Sequence, residues 1–147
     1  ADAQINGYVI SIADGDTLTL LDADNARIKV RLAEIDSPER AQPYGNRAKR
    51  VLAELVHSRM VEITVIDIDP DGRIVGQVRS NGTDINAEMV RRGAAWVYRR
   101  HLKRPELLRE EQMARTQGLG LWSLPEQERM PPWQWRHLQR KSKALAE

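Results

Sequence analysis

The sequence predicts an α+β fold that is mainly β: a small closed barrel of five strands decorated by helices. Three observations lead there. Runs rich in β-branched residues, parted by tight-turn dipeptides, fill the first half of the chain. A segment of helical period interrupts them after the third run. Further segments of helical period follow the fifth. At 147 residues the chain makes one domain, and 41% hydrophobic residues suffice for a core.

The elements follow in order. Ile5 to Ile12, Thr17 to Asp22 and Arg27 to Ile35 read as strands, with turns at Asp14-Gly15 and Asp24-Asn25. A helix is predicted over about Asn46 to His57, where Ala48, Val51, Leu52, Leu55 and Val56 fall on one face. Met60 to Ile68 and Arg73 to Arg79 return to strand, and Asn81-Gly82 marks a tight turn. A short helix runs from Asp84, an N-cap, to a Gly93 stop. Another starts at Pro105 as first helical residue and ends near Gly118, with Leu108, Met113 and Ala114 on its buried side. Pro125, Pro131 and Pro132 break the tail, Trp133 and Trp135 follow, and Arg136 to Lys143 forms a basic last helix. The expectation is a single domain over 1–147, with 124–147 a basic, Trp-containing extension. Five strands with a helix after the third match the oligonucleotide-binding (OB) barrel.

Composition excludes several classes. Cys is absent, so there are no disulfides, thiolate metal sites or Cys nucleophile. No apolar run reaches the roughly 18 residues of a membrane helix. The net charge of +2 hides an asymmetry: residues 1–90 carry 10 Lys/Arg and 15 Asp/Glu, residues 91–147 carry 13 and 6. A basic half suits a polyanion, and an acidic half offers metal ligands. A first residue of Ala rather than Met fits removal of a leader, so a secreted or periplasmic protein is expected over a cytoplasmic one.

The chemistry concentrates in Asp14-Gly15-Asp16-Thr17 and in Arg31 with Asp36-Ser37-Pro38-Glu39. If the first three strands form a meander, Asp16 and Asp36 meet at one barrel end. Two close carboxylates need a cation, and oxygen ligands on turns suit Ca²⁺ or Mg²⁺. Even spacing would put Arg31 and Ile35 on one strand face. An inward Arg needs a partner anion. Each piece alone is ordinary: Asp-Gly is a common turn, and Ser-Pro-Glu a common helix lead-in. His57, His101 and His137 have no metal spacing and read as surface residues; Trp122 reads as core. Trp133 and Trp135 either pack on the barrel or offer a platform for stacked bases.

The ordered set of pieces resembles the staphylococcal nuclease-like family, over about Tyr8 to Trp122. It comprises residues 14–17, Arg31, residues 36–39, Tyr44-Gly45, Gly72-Arg73, Ile85-Asn86, Val90-Arg91-Arg92-Gly93, Trp96-Val97-Tyr98 and Gly120-Leu121-Trp122-Ser123. The resemblance implies a five-stranded OB barrel with three helices and one Ca²⁺ ion. It implies a sugar-nonspecific nuclease acting on single-stranded DNA and RNA, leaving 3′-phosphate and 5′-hydroxyl ends, and a monomer without membrane association. By the same resemblance Asp16 and Asp36 hold the ion through carboxylates and Ser37, where the family has Thr, through its carbonyl. Arg31 and Arg73 contact phosphate, Glu39 activates water, and Asp14 supports the ligands. Tyr98 is carried over loosely as a substrate contact. These residue types suit phosphodiester hydrolysis, because Arg is always charged and bidentate and Glu can accept a proton.

Three departures stand out. The loop between Glu39 and Tyr44 is shorter than in the staphylococcal enzyme. Asp69-Pro70-Asp71-Gly72 replaces a basic stretch, which argues against tight binding of a nucleotide 5′-phosphate. Trp96 and Tyr98 do not align residue by residue with the family's substrate tyrosines. Two other readings stay open. One is a catalytically silent nucleic-acid-binding barrel, against which the full set of Asp16, Arg31, Asp36, Glu39 and Arg73 argues. The other is a Ca²⁺-stabilised module for a protein ligand, which would not need two arginines beside the carboxylates.

Overall fold

The computed structural model describes residues 3–146. Its strands are β1 (Gln4–Asp14), β2 (Thr17–Leu21), β3 (Arg27–Leu32), β4 (Ile35–Asp36), β5 (Met60–Ile68), β6 (Ile74–Ser80), β7 (Thr83–Asp84) and β8 (Trp96–Val97). The helices among the described residues are α1 (Gly45–Val56), α2 (Ile85–Arg91), α3 (Glu106–Gln117) and α4 (Pro132–Ala146). The main sheet runs β3-β2-β1-β5-β6-β7, and β3 also pairs with β6. That last pairing is parallel and closes β1, β2, β3, β5 and β6 into a barrel, the predicted OB architecture.

Alternation builds the core. Val9 on β1, Leu18 and Leu20 on β2, Val30 and Leu32 on β3, and Ile63 and Val78 on β5 and β6 are fully buried. α1 plugs one end with Ala48, Leu52 and Val56, while Val51 and Leu55 pack at its rim. A second cluster of Trp96, Ala114, Leu121 and Trp122 lies outside the barrel, and Trp133 of α4 packs against it. The Arg115 guanidinium sits 4.3 Å from the Trp122 ring centroid, a cation–π contact that covers this cluster.

Several elements differ from expectation. The third strand stops at Leu32 instead of running to Ile35. Glu34 takes a left-handed backbone, with φ 70°, and this break turns the chain out of the barrel. Arg31 and Ile35 therefore do not share a face: Ile35 is fully buried, whereas Arg31 stays at the rim. α3 starts at Glu106, with Pro105 as its cap. Its buried residues are Leu107, Glu111 and Ala114; Leu108 and Met113 face outward. Glu111 goes inward because its carboxylate accepts from the Val97 backbone N–H and from Arg99 and Arg115. α4 begins at Pro132, so both tail tryptophans are helical.

Two buried polar side chains fasten the barrel to its helices. Asn86 donates to the Ala33 and Gly76 carbonyls and accepts from the Val78 N–H. Glu34 accepts from the Lys103 and Arg104 N–H groups and from Arg104 Nε. Asp84 caps α2 through the Ala87 N–H and also pairs with Arg104.

Candidate active site

The hairpin between β1 and β2 and the β3–β4 turn bring two acidic segments together. Asp14 pairs in register with Thr17, so Gly15 and Asp16 form the turn. A β-carbon on Gly15 would lie 2.7 Å from Ser37 Oγ and 2.9 Å from the Ala48 methyl. Gly15 thus lets the turn press against Ser37. The Ser37 N–H donates to Asp16 Oδ2 at 2.8 Å, and Leu32 N donates to the Asp16 carbonyl. Pairing of Asp36 with Trp96 across β4 and β8 fixes the second segment.

Arg31 then bridges the two carboxylates. Its Nη1 lies 3.6 Å from Asp16 Oδ2 and its Nη2 lies 3.7 Å from Asp36 Oδ1. The rim Arg thus has the partner anions that its position in a strand demanded. Asp14 sits behind: its Oδ1 accepts from the Asp16 N–H at 3.1 Å. Burial and the neighbouring Asp16 charge push the Asp14 carboxyl up to about 7. Burial would raise Asp16 as well, but the Arg31 charge and hydrogen bonds from Asp14, Ser37 and Thr17 outweigh it and hold that carboxyl low. Asp36 is raised, because its burial exceeds the help from its arginines. This is the expected electrostatics of acids gathered in a low-dielectric setting.

Glu39 enters from the loop before α1. That loop is closed tightly: Gln42 N donates to the Glu39 carbonyl, Gly45 N to the Gln42 carbonyl, and Glu39 N to Gln42 Oε1. A β-carbon on Gly45 would collide with the Glu39 carbonyl oxygen, which is why Gly follows Tyr44 here. The shortened loop therefore still delivers Glu39 to the same edge.

Arg73 follows the turn at Asp69 to Gly72. It lines a pocket of about 200 Å³ with Arg31, Tyr98, His101 and Asp69. Its Nε donates to Asp69 Oδ2 at 2.7 Å and its backbone N–H to Asp69 Oδ1 at 2.9 Å. The acidic substitution in this turn thus holds the guanidinium. Tyr98 is half-buried in the same pocket and stacks on Trp133, with centroids 5.5 Å apart and planes at 16°. Trp96 is instead part of the second core.

Sequence reasoning missed one residue of this cluster. Arg136 of α4 donates to both Asp36 oxygens, at 3.0 and 2.6 Å, and to Glu39 Oε1 at 2.8 Å. The tail's basic character was visible in the sequence; the reach of this side chain was not. His57, His101 and His137 are exposed, as expected, and Trp122 is core.

The donors near Arg31 fit a hard cation by their chemistry: two carboxylates and the Ser37 carbonyl, all oxygen, on turns. The Ser37 hydroxyl is buried there with no hydrogen-bond partner among the described residues. No cluster of three or more His, Cys, Asp or Glu suited to a metal occurs among the described residues. Protein ligation would rest on these two carboxylates and the Ser37 carbonyl, with water completing the shell.

Comparison with known proteins adds identity. Residues 29–124 match the family model described as staphylococcal nuclease homologue. The chain is 41% identical over 136 residues to an uncharacterized endonuclease of Escherichia coli, covering 92% of this chain and 87% of that protein. It is 40% identical over 145 residues to a micrococcal nuclease of Shigella flexneri, covering 91% and 82%. It is likewise 40% identical over 128 residues to an uncharacterized endonuclease of Haemophilus influenzae, covering 87% and 71%.

Proposed function

The chain belongs to the staphylococcal nuclease homologue family and is a nuclease, and on that premise we propose that it cuts single-stranded DNA and RNA in a calcium-dependent, sugar-nonspecific way. The observation that supports the cation is the Arg31 guanidinium spanning Asp16 and Asp36, at 3.6 and 3.7 Å. Both carboxylates lie within reach of one small charge. Asp16, Asp36 and the Ser37 carbonyl would hold Ca²⁺. When bound, Ca²⁺ supplies positive charge that offsets the charge growing on the phosphorane oxygens.

The chain's own residues do the rest. Glu39 accepts the proton of the attacking water. Arg31 and Arg73, on one pocket, donate to the non-bridging phosphate oxygens as their charge grows. Water attacks phosphorus, the bond from phosphorus to the 5′-oxygen breaks, and the strand is left with 3′-phosphate and 5′-hydroxyl ends. The 2′-hydroxyl has no task in this scheme, so both sugars serve. Tyr98 and Trp133 form a stacked aromatic pair at the pocket edge, suited to an unstacked base. Unpaired strands are therefore preferred.

The test is incubation of the purified protein with matched single-stranded DNA and RNA, with Ca²⁺ or excess chelator, and mass analysis of the ends. Both polymers should be cut only with Ca²⁺, to 3′-phosphate products. Full activity in chelator would remove the cation from the scheme. Cleavage of RNA alone to 2′,3′-cyclic ends would make the ribose hydroxyl the nucleophile.

A further inference from the structure

Arg136 reaches the site from outside the barrel, 100 positions beyond Asp36 in the chain. Its fork takes both oxygens of a carboxylate that is 1% exposed, and one of its nitrogens also holds Glu39. Bidentate pairing of this kind is the strongest form of guanidinium–carboxylate contact. The carboxylates it holds are the proposed cation ligand and the proposed proton acceptor. Arg31 is already within 3.7 Å of Asp36. A cation joining Asp36 would meet two guanidinium charges at close range.

The element carrying Arg136 is anchored on one side of it only. Before it, Gln42 Nε2 donates to the Met130 carbonyl, Pro132 is buried, and Trp133 packs on Trp96 and Tyr98. After it, residues 137–146 are all exposed. Arg136 is thus the last tether before the helix runs into solvent, and its side chain is one-third exposed. It can leave the carboxylates without unpacking a core.

We propose that Arg136 is an internal competitor of the metal ion: it neutralises Asp36 and Glu39 in the metal-free protein, and cation entry displaces it toward solvent or substrate phosphate. The inference rests on the reading of Asp36 as a cation ligand. It makes α4 a guard on the site, which sets the cation concentration at which the enzyme switches on.

Calcium titration by calorimetry, without nucleic acid, tests this on the full chain and on Arg136→Ala and Arg136→Gln. Both variants should bind Ca²⁺ at least about tenfold more tightly, since one like charge a few ångströms away has been removed. Their metal-free forms should melt lower than wild type, and saturating Ca²⁺ should raise their midpoints more. Gln keeps hydrogen-bonding capacity should the Ala variant fold poorly. Unchanged or weaker Ca²⁺ affinity in a folded variant overturns the inference while leaving the cation site standing; Arg136 would then hold Asp36 in its ligating posture. Absence of Ca²⁺ binding in wild type and variants alike overturns the cation reading, and the competition with it.

Discussion

Arg31 and Arg73 share a pocket but differ in what restrains them. Arg31 faces two carboxylates across long contacts, while Arg73 is gripped at 2.7 Å by Asp69. If both serve the phosphate, Arg31→Ala and Arg73→Ala should each slow cleavage at least about 10²-fold with unchanged far-ultraviolet circular dichroism. Near-normal turnover in Arg73→Ala would mean that Asp69 keeps its grip during the reaction. At this scale the closeness of Asp16 and Asp36 was legible in the sequence because turns flank them and aim side chains outward, while Glu39 entered only through the family resemblance. Arg31 was legible because an Arg in a strand needs an anion. Arg136 was not. A basic helical tail usually faces solvent, and its partners lie about a hundred residues upstream, where no local pattern points.

Elements were read most faithfully where their period was strong and least where an acid turns inward. α1 kept its predicted face because Ala48, Leu52 and Val56 repeat at helical spacing. α3 departed because Glu111 takes a core position, satisfied by Val97, Arg99 and Arg115, and rotates Leu108 and Met113 to the outside. β3 ended early at Glu34 for a similar reason: three donors from residues 103 and 104 fix its carboxylate and bend the chain there. Burial would raise the Glu34 carboxyl, but those donors and the Arg104 charge hold it below the ordinary glutamate value. Its contribution to stability is therefore present above the unfolded-state value and lost as pH falls through the lowered folded-state value. Glu34→Gln should lower stability near neutrality by about 1–3 kcal/mol, the range for weakening hydrogen bonds to a charged acceptor, since Arg104 keeps its pair with Asp84. The variant's stability should also fall less with acid than wild type's. A variant curve parallel to wild type below pH 5, in urea melts across pH, would show that folding does not shift the Glu34 carboxyl from its unfolded-state value.

At the scale of the whole molecule, charge is sorted by position. The acidic residues of the barrel edge surround the proposed cation site, and α4 projects Arg140, Lys141 and Lys143 beyond it into solvent. A single strand entering the pocket would pass near that helix. Neutralising these three residues together should make the salt dependence of single-stranded DNA binding shallower, by up to about 0.7 in logarithmic slope for each phosphate they serve. The check is binding in chelator, which prevents cleavage, across a range of salt concentrations. An unchanged slope would leave the tail the role of covering the second core through Trp133.

The parallel pairing that closes the barrel has a consequence for how the chain folds. Val30 pairs with Ile74, and the residues between them include α1 and β5. The β1–β2 hairpin and α1 form from near neighbours and can assemble early. The closing seam must wait until a long loop has been drawn in, and its entropy is lost before the seam's contacts form. Distant pairings of this kind slow folding relative to helical bundles of equal size. Asp16 comes from the early hairpin, whereas Asp36 is fixed by β8 near residue 96 and Arg73 stands at the mouth of β6, the strand that closes the seam. The two acids and the arginine across the pocket therefore meet only when the ring is complete and β8 has paired with β4.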